Sequence, residues 1–135
     1  MIARDGSEER KISDRIFLHT FGHSIAWSPD SQRVAFANAD NLAVQEYAVV
    51  GIIDVSSGET FTITQFLTGQ AVQLAFSPDG KMLVYNQDDT IHVVNATTRE
   101  TIVSITRDSN PLCDFGERNR FLWSPDSLWI VDYHS

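Results

Sequence analysis

The chain has 135 residues, of which 42% are hydrophobic, and it carries a formal net charge of −8 at pH 7. A length of this order suits one structural unit, and no apolar run approaches the roughly 18 residues that a membrane-spanning helix needs. Nucleic acids and anionic membranes attract clustered Lys and Arg, whereas the ten basic residues of this chain are scattered. We therefore expect no nucleic-acid partner and no insertion into a membrane.

Short strands are predicted from the start of the chain. Apolar residues flank an Asp-Gly-Ser turn at residues 5–7, which indicates two strands within residues 1–13. Apolar and small or polar residues then alternate from His23 to Trp27, as expected for a strand with one buried face. After a tight turn, residues 34–36 (Val-Ala-Phe) form a short apolar run typical of a strand that is covered on both faces.

The tight turn belongs to a motif that occurs three times. An aromatic residue followed by Ser-Pro-Asp and then Ser or Gly starts at Trp27, Phe76 and Trp123, at steps of 49 (27 to 76) and 47 (76 to 123) residues. Self-similarity at such a period is typical of repeat architectures. Pro presets the backbone of the turn and Asp tolerates its third position, while a positive φ at the closing position suits Gly80 better than the serines of the other two copies. We therefore predict that the recurring turn residues are structural: Ser28, Pro29, Asp30, Ser77, Pro78, Asp79, Gly80, Ser124, Pro125 and Asp126.

Two further strands follow the turn in the first and second copies. Third strands are predicted at Val49–Val55 and Ile91–Ala96, and fourth strands at Thr60–Leu67 and Thr101–Thr106. A repeat unit of four antiparallel strands is typical of a β-propeller blade.

The three tandem turns resemble those of bacterial propeller repeats of the TolB-like and WD-repeat-like type, whose hallmark is aromatic-Ser-Pro-Asp-Gly. Gly22-His23 is similar to the Gly-His pair of WD repeats, while Ile53-Asp54 and Val94-Asn95 stand where those repeats end in Trp-Asp. Because that Trp is missing twice, the looser bacterial type is the better match. The resemblance implies an all-β fold built from blades of four antiparallel strands.

Both ends of the chain fall inside predicted blades. We assign residues 1–19 to the outer strands of a preceding blade and a linker, 20–68 to blade 1, 69–107 to blade 2, and 108–135 to a loop and the first two strands of a truncated blade 3. Two whole and two half blades amount to about three blade equivalents, fewer than the roughly 4 to 8 of a closed propeller. The chain is therefore not expected to close a ring on its own.

Three interpretations of this incomplete ring follow. The chain is a fragment of a longer propeller, a self-assembling half propeller of which two copies make a ring, or an open stack of blades; we favour the fragment. In each case apolar blade faces need to be covered, so we expect self-association through the exposed faces of the isolated chain. A signal peptide is not visible, but one could precede a fragment, so a soluble cytoplasmic or periplasmic location is left open.

The sequence assembles no recognisable active site. Cys113 is the single cysteine, and no histidine stands at a spacing that recommends it as a catalytic partner. His19 and His23 lead into a predicted strand without a third metal ligand. The motif serines recur, whereas a nucleophile would ordinarily occur once, and no Gly-x-Ser-x-Gly elbow is present. We predict no catalytic residue, no metal, no cofactor and no enzymatic activity.

Function is expected in the connections at the ends of the blades, because blade faces pack on one another. The longer first copy predicts a long connection over residues 38–48, and a second one is predicted over residues 107–119. The candidate binding residues in these two loops are Asp40, Asn41, Glu46, Tyr47, Arg107, Phe115 and Arg118. They favour a non-enzymatic scaffold that binds a protein or peptide partner. One alternative, implied by the resemblance, is the gating or substrate-filter propeller of a prolyl-oligopeptidase-like serine peptidase whose catalytic domain lies outside this chain; the other is the self-assembling half propeller.

Overall fold

The computed structural model describes residues 4–11, 24–42, 45–67, 73–87, 89–106 and 120–133. This part of the chain contains ten β-strands and no helix, and hence no helix that is long and apolar enough to cross a membrane. The strands are β1 (Ser24–Trp27), β2 (Arg33–Leu42), β3 (Gln45–Asp54), β4 (Thr60–Leu67), β5 (Leu74–Phe76), β6 (Met82–Gln87), β7 (Thr90–Asn95), β8 (Thr101–Thr106), β9 (Arg120–Trp123) and β10 (Ile130–Tyr133).

Each strand pairs in antiparallel fashion with its neighbour along the chain. The sheet that we call blade 1 has the order β1-β2-β3-β4, blade 2 has the order β5-β6-β7-β8, and β9 pairs with β10 in a separate two-stranded hairpin. The bounds predicted for the two fourth strands coincide with those of β4 and β8. The prediction of an all-β fold with four antiparallel strands per blade is confirmed.

The hydrophobic core lies between the sheets. One cluster joins the facing surfaces of blade 1 and blade 2, and its buried members are Ala35, Ala37, Val50, Ile52, Leu74, Phe76, Leu83, Tyr85, Val94 and Ala96. A second cluster joins the other face of blade 2 to the β9–β10 hairpin, where Val84, Ile91 and Val93 pack against Phe121, Trp123 and Ile130. Because each face of blade 2 is covered by a different neighbour, the apolar runs of its strands need not alternate.

The structure has a paired β2–β3 hairpin where a long connection was predicted over residues 38–48. β2 and β3 pair from Arg33↔Asp54 as far as Leu42↔Gln45, so residues 38–42 and 45–48 are strand and the prediction of a long loop there was wrong. Cross-strand pairing gives the backbone amides and carbonyls of this stretch a partner, which a loop would have left to solvent. Residues 43 and 44 lie outside the described residues.

The turn predicted near the start of the chain is present at residues 4–7. The Ser7 N–H donates to Asp5 Oδ1 at 3.0 Å, and Gly6 has a φ of +73°. Arg10 Nη2 donates to the carbonyls of Val55 (2.9 Å) and Ser56 (3.2 Å), which ties residues 4–11 to the β3–β4 turn of blade 1. The other residues assigned to a preceding blade, 1–3 and 12–19, lie outside the described residues.

Candidate functional site

Each copy of the repeated motif builds a hydrogen-bonded turn around its serine. Ser77 Oγ donates to Asp79 Oδ1 at 2.6 Å and accepts from the Met82 N–H at 2.9 Å, while the Lys81 N–H donates to the same carboxylate oxygen at 3.0 Å. In this geometry both the hydroxyl and the carboxylate form hydrogen bonds within their own turn. The corresponding bonds recur in the other copies, among Ser28, Asp30, Gln32 and Arg33 and among Ser124, Asp126, Leu128 and Trp129.

The turn carboxylates ionise at a lower pH than usual. The hydrogen bond from the motif serine is the main cause of the lowered pKa of Asp30, Asp79 and Asp126, and a backbone N–H contributes next. In the β3–β4 turn, the Ser56 hydroxyl and then the Ser57 backbone N–H hold the pKa of Asp54 at about 2. Hydrogen bonds of this kind favour the charged form, so these acids are ionised near neutral pH and suit turn stabilisation better than proton donation.

The residue that closes each motif turn has a left-handed backbone, with a φ between +60° and +71° in the three copies, as the presence of Gly80 led us to expect. In the third copy the closing residue also makes a contact between sheets, because Ser127 Oγ accepts from the Asp79 N–H of blade 2 at 3.0 Å. Trp123 Nε1 donates to the Ala75 carbonyl of blade 2 at 3.3 Å. Two side chains of the third motif thus tie the β9–β10 hairpin to blade 2.

A cleft of about 190 Å³ lies between blade 1 and blade 2, beside the β3–β4 and β7–β8 turns. Arg33 spans the boundary between the blades, since Nη1 donates to the Ala96 carbonyl at 3.0 Å and Nη2 donates to the Gly80 carbonyl at 2.9 Å. The Arg99 guanidinium lies over the Phe61 ring at 4.8 Å from its centroid, a cation–π distance. The cleft therefore combines two cationic groups and the Asp54 carboxylate with an apolar wall.

Sequence reasoning missed this cleft. Arg33 occupies the position that Met82 and Trp129 occupy in the other two copies, so the only signal was a basic residue where the repeat elsewhere has an apolar one. That difference could not reveal which carbonyls of the next blade the guanidinium reaches.

Four of the predicted binding residues lie on the β2–β3 hairpin. Asp40 pairs with Tyr47 and Asn41 pairs with Glu46, so the backbone brings all four together near the end of the hairpin. The hairpin continues four residue pairs, from Ala39↔Ala48 to Leu42↔Gln45, beyond the level at which the corresponding β6–β7 pairing of blade 2 ends. At about 3.3 Å per residue, this extension projects roughly 13 Å past blade 2.

The remaining candidates cannot be placed in this way. The binding candidates Arg107, Phe115 and Arg118 and the chemically reactive candidates Cys113, His19 and His23 lie outside the described residues. Within the described ranges, no group of three His, Cys, Asp or Glu side chains could hold a metal ion.

Four-stranded up-and-down sheets that pack face to face and follow one another along the chain define a β-propeller fold. No profile of a known protein family matches the sequence, and no curated protein is significantly similar to it.

Solved structures share the fold. The chain is similar to TolB from Acinetobacter baumannii (TM-score 0.62, 23% identity, covering 93% of this chain and 29% of that one). It is also similar to a chain of the Mitotic Checkpoint Complex (TM-score 0.55, 25% identity, 82% of this chain and 32% of that one). A third neighbour is the β-propeller domain of the Trilobed protease from Pyrococcus furiosus (TM-score 0.55, 16% identity, 76% of this chain and 31% of that one). The chain thus spans about 29% of the length of the TolB chain that it matches.

Proposed function

We propose that this chain is a non-enzymatic propeller scaffold that binds a protein or peptide at the end from which the β2–β3 hairpin projects. The observation that carries the proposal is the four-pair extension of this hairpin beyond the level reached in blade 2. Connections at the ends of a rigid scaffold are where binding residues concentrate. The extension places Asp40, Asn41, Glu46 and Tyr47 together at such an end, and Tyr is an efficient anchor of interfaces.

Two further observations support a binding role without enzymatic activity. The neighbour from the Mitotic Checkpoint Complex belongs, by its name, to a protein assembly. The motif serines and aspartates of this chain engage one another within their turns, and we infer that their role is structural.

The sheets that the structure describes are too few for a closed ring. Two four-stranded sheets and one two-stranded hairpin in the described part of the chain are fewer than the roughly 4 to 8 blades of a closed propeller. We infer that the scaffold works within a larger ring, whether as a fragment of a longer propeller or as an assembly of copies. The proposal of a peptidase gate has support only from the fold of the protease neighbour; an α/β-hydrolase elbow encoded next to this segment would favour it.

Peptide selection on the full chain tests the binding role. Peptides from a random library displayed on phage are selected on the wild-type protein and then measured against a variant in which residues 39–48 are replaced by two residues, the number that separates β6 from β7. We expect affinity to fall about tenfold or more, as for the loss of a principal contact.

The control is Thr97→Ala, at the exposed β7–β8 turn of blade 2, which should bind like the wild type. Failure to select any peptide, or equal binding by the shortened variant, would contradict the proposal.

A further inference from the structure

The junction between blade 2 and the β9–β10 hairpin shows one way in which two sheets of this chain join. We call the side of a sheet that is turned toward the preceding sheet its leading face, and the opposite side its trailing face. On the leading face of the hairpin, Trp123 Nε1 donates to the Ala75 carbonyl, and Ser127 Oγ accepts from the Asp79 N–H. Ala75 and Asp79 belong to β5 and the turn that follows it, on the trailing side of blade 2.

Blade 1 carries the same two residue types on its own leading face. Trp27 and Ser31 occupy the motif positions of Trp123 and Ser127, and Ser31 has the same left-handed backbone, with a φ of +60°. Trp27 is 48% exposed and Ile25, on the same face, is 58% exposed. Within the described part of the chain, neither Trp27 Nε1 nor Ser31 Oγ takes part in a hydrogen bond.

On this leading face, the large apolar side chains that the structure leaves exposed belong to β1. Val34, Phe36 and Ile53, which lie on the same face in β2 and β3, are only 4%, 5% and 0% exposed. Arg10 also binds carbonyls on the β3–β4 turn, so residues 4–11 lie beside the outer part of blade 1. The exposed apolar surface that the structure describes on this face therefore belongs to its inner strand.

The trailing face of the β9–β10 hairpin is open as well. Leu122 and Val131 are 63% and 55% exposed, although they occupy the positions of Ala75 and Val84, which take part in the cluster between blade 2 and the hairpin. The Leu122 carbonyl corresponds to the Ala75 carbonyl, which accepts from Trp123. The Asp126 N–H corresponds to the Asp79 N–H, which donates to Ser127. The leading face of blade 1 and the trailing face of the hairpin thus carry the same groups that form the contact between the hairpin and blade 2.

We propose that two copies of this chain associate head to tail, with β1 of each copy seated on the trailing face of the β9–β10 hairpin of the other. Trp27 Nε1 donates to the carbonyl of Leu122 of the partner subunit, and Ser31 Oγ accepts from the N–H of Asp126 of the partner subunit. Each copy brings two blades and one hairpin to a closed ring of about six units, within the range of known propellers. The inference rests on the proposed larger ring and specifies what covers its open faces.

Analytical ultracentrifugation over a range of concentrations tests this assembly. We expect the wild type to form a dimer, and Trp27→Glu and Val131→Asp each to weaken the association about tenfold or more by placing a charge in an apolar contact. The matched control is Ile102→Glu, because Ile102 is 56% exposed but lies on β8, the outermost strand of blade 2. Its association should equal that of the wild type.

A mixing experiment separates head-to-tail association from other symmetric dimers. In an equimolar mixture, the intact β1 of the Val131→Asp variant meets the intact hairpin of the Trp27→Glu variant, so one of the two interfaces is restored. The mixture should associate more strongly than either variant alone. A monomeric wild type, a dimer that survives either substitution, or a mixture without recovery would overturn the proposal.

Conservative variants keep the test decisive if a charged variant fails to fold. Trp27→Phe removes the indole N–H together with part of the ring, and Ser31→Gly removes the hydroxyl while relieving the left-handed backbone. Both should retain the circular dichroism of the wild type and associate more weakly; unchanged association would overturn the assigned hydrogen bonds. Peptide binding by the β2–β3 hairpin is measured on the same variants. A loss of association with retained peptide binding leaves the proposed function standing, and the reverse leaves the assembly standing.

Discussion

Ser77→Ala is the sharpest test of the structural role assigned to the motif serines. Ser77 is fully buried, and its hydroxyl both donates to Asp79 Oδ1 and accepts from the Met82 N–H. Alanine fits the same backbone without a clash, so the substitution removes the oxygen and little else. The perturbation therefore isolates the hydroxyl that links the two sides of the turn.

The expected cost follows from the amide that is left behind. Without Ser77 Oγ, the Met82 N–H loses the acceptor that it reaches at 2.9 Å. A buried donor without its partner costs about 1–3 kcal/mol, and we expect the free energy of unfolding to fall by that amount. The pKa of Asp79 should also rise toward its usual value, since the Ser77 hydroxyl is the main cause of its lowering.

Urea denaturation monitored by tryptophan fluorescence, at one protein concentration, measures this change. Ser124→Ala is the matched control because Ser124 makes the same bonds to Asp126 and Trp129 in a turn that is more open to solvent. Water can replace the lost acceptor there, so the cost should stay below about 1 kcal/mol. An equal or smaller loss for Ser77→Ala than for Ser124→Ala would refute the assignment.

Two further substitutions test contacts of blade 1. Gly51→Ala should destabilise the fold by about 1–3 kcal/mol, as overpacking does, because an added Cβ would lie 2.6 Å from Phe36 Cζ and 2.9 Å from a backbone oxygen; wild-type stability in urea denaturation would contradict this. Asp54 has its pKa lowered to about 2 in the folded chain, so its contribution is fully present above its ordinary pKa near 3.8 and is lost as the pH falls toward 2. Asp54→Asn keeps the acceptor that Asn95 provides in blade 2 and removes the titration, so the difference in melting temperature between wild type and variant should change between pH 5 and pH 2; a constant difference would contradict the assignment.

The repeat made much of the fold predictable, because the features that it fixes are local. The alternation of Thr with apolar residues predicted the bounds of β4 and β8, since period two specifies a strand without reference to distant residues. Gly80 predicted the positive φ of the turns, since an L-residue with a side chain rarely adopts it. Both signals lie within a few residues of the structure that they specify.

The features that were missed depend on neighbours distant in sequence. The greater length of the first copy indicated a loop over residues 38–48, but pairing with β3 holds Asp40 and Asn41 in a strand. Arg33 was a basic residue without a visible partner until the structure placed it beside the carbonyls of Gly80 and Ala96. Neither outcome follows from periodicity, because each requires knowing which backbone lies opposite.

The two blade junctions of this chain share one turn but use different chemistry. At the first junction, Arg33 reaches the Gly80 carbonyl, and at the second, Ser127 accepts from the Asp79 N–H. The repeat thus gives each sheet the same turn backbone, while the residues that bond to the neighbouring sheet differ between the two junctions. Trp27 and Ser31 repeat the residue types that the hairpin uses at the second junction, where they meet a strand carbonyl and a turn N–H of the neighbouring sheet. Because the β9–β10 hairpin of this same chain presents those groups on an open face, a partner for β1 does not have to come from any other protein.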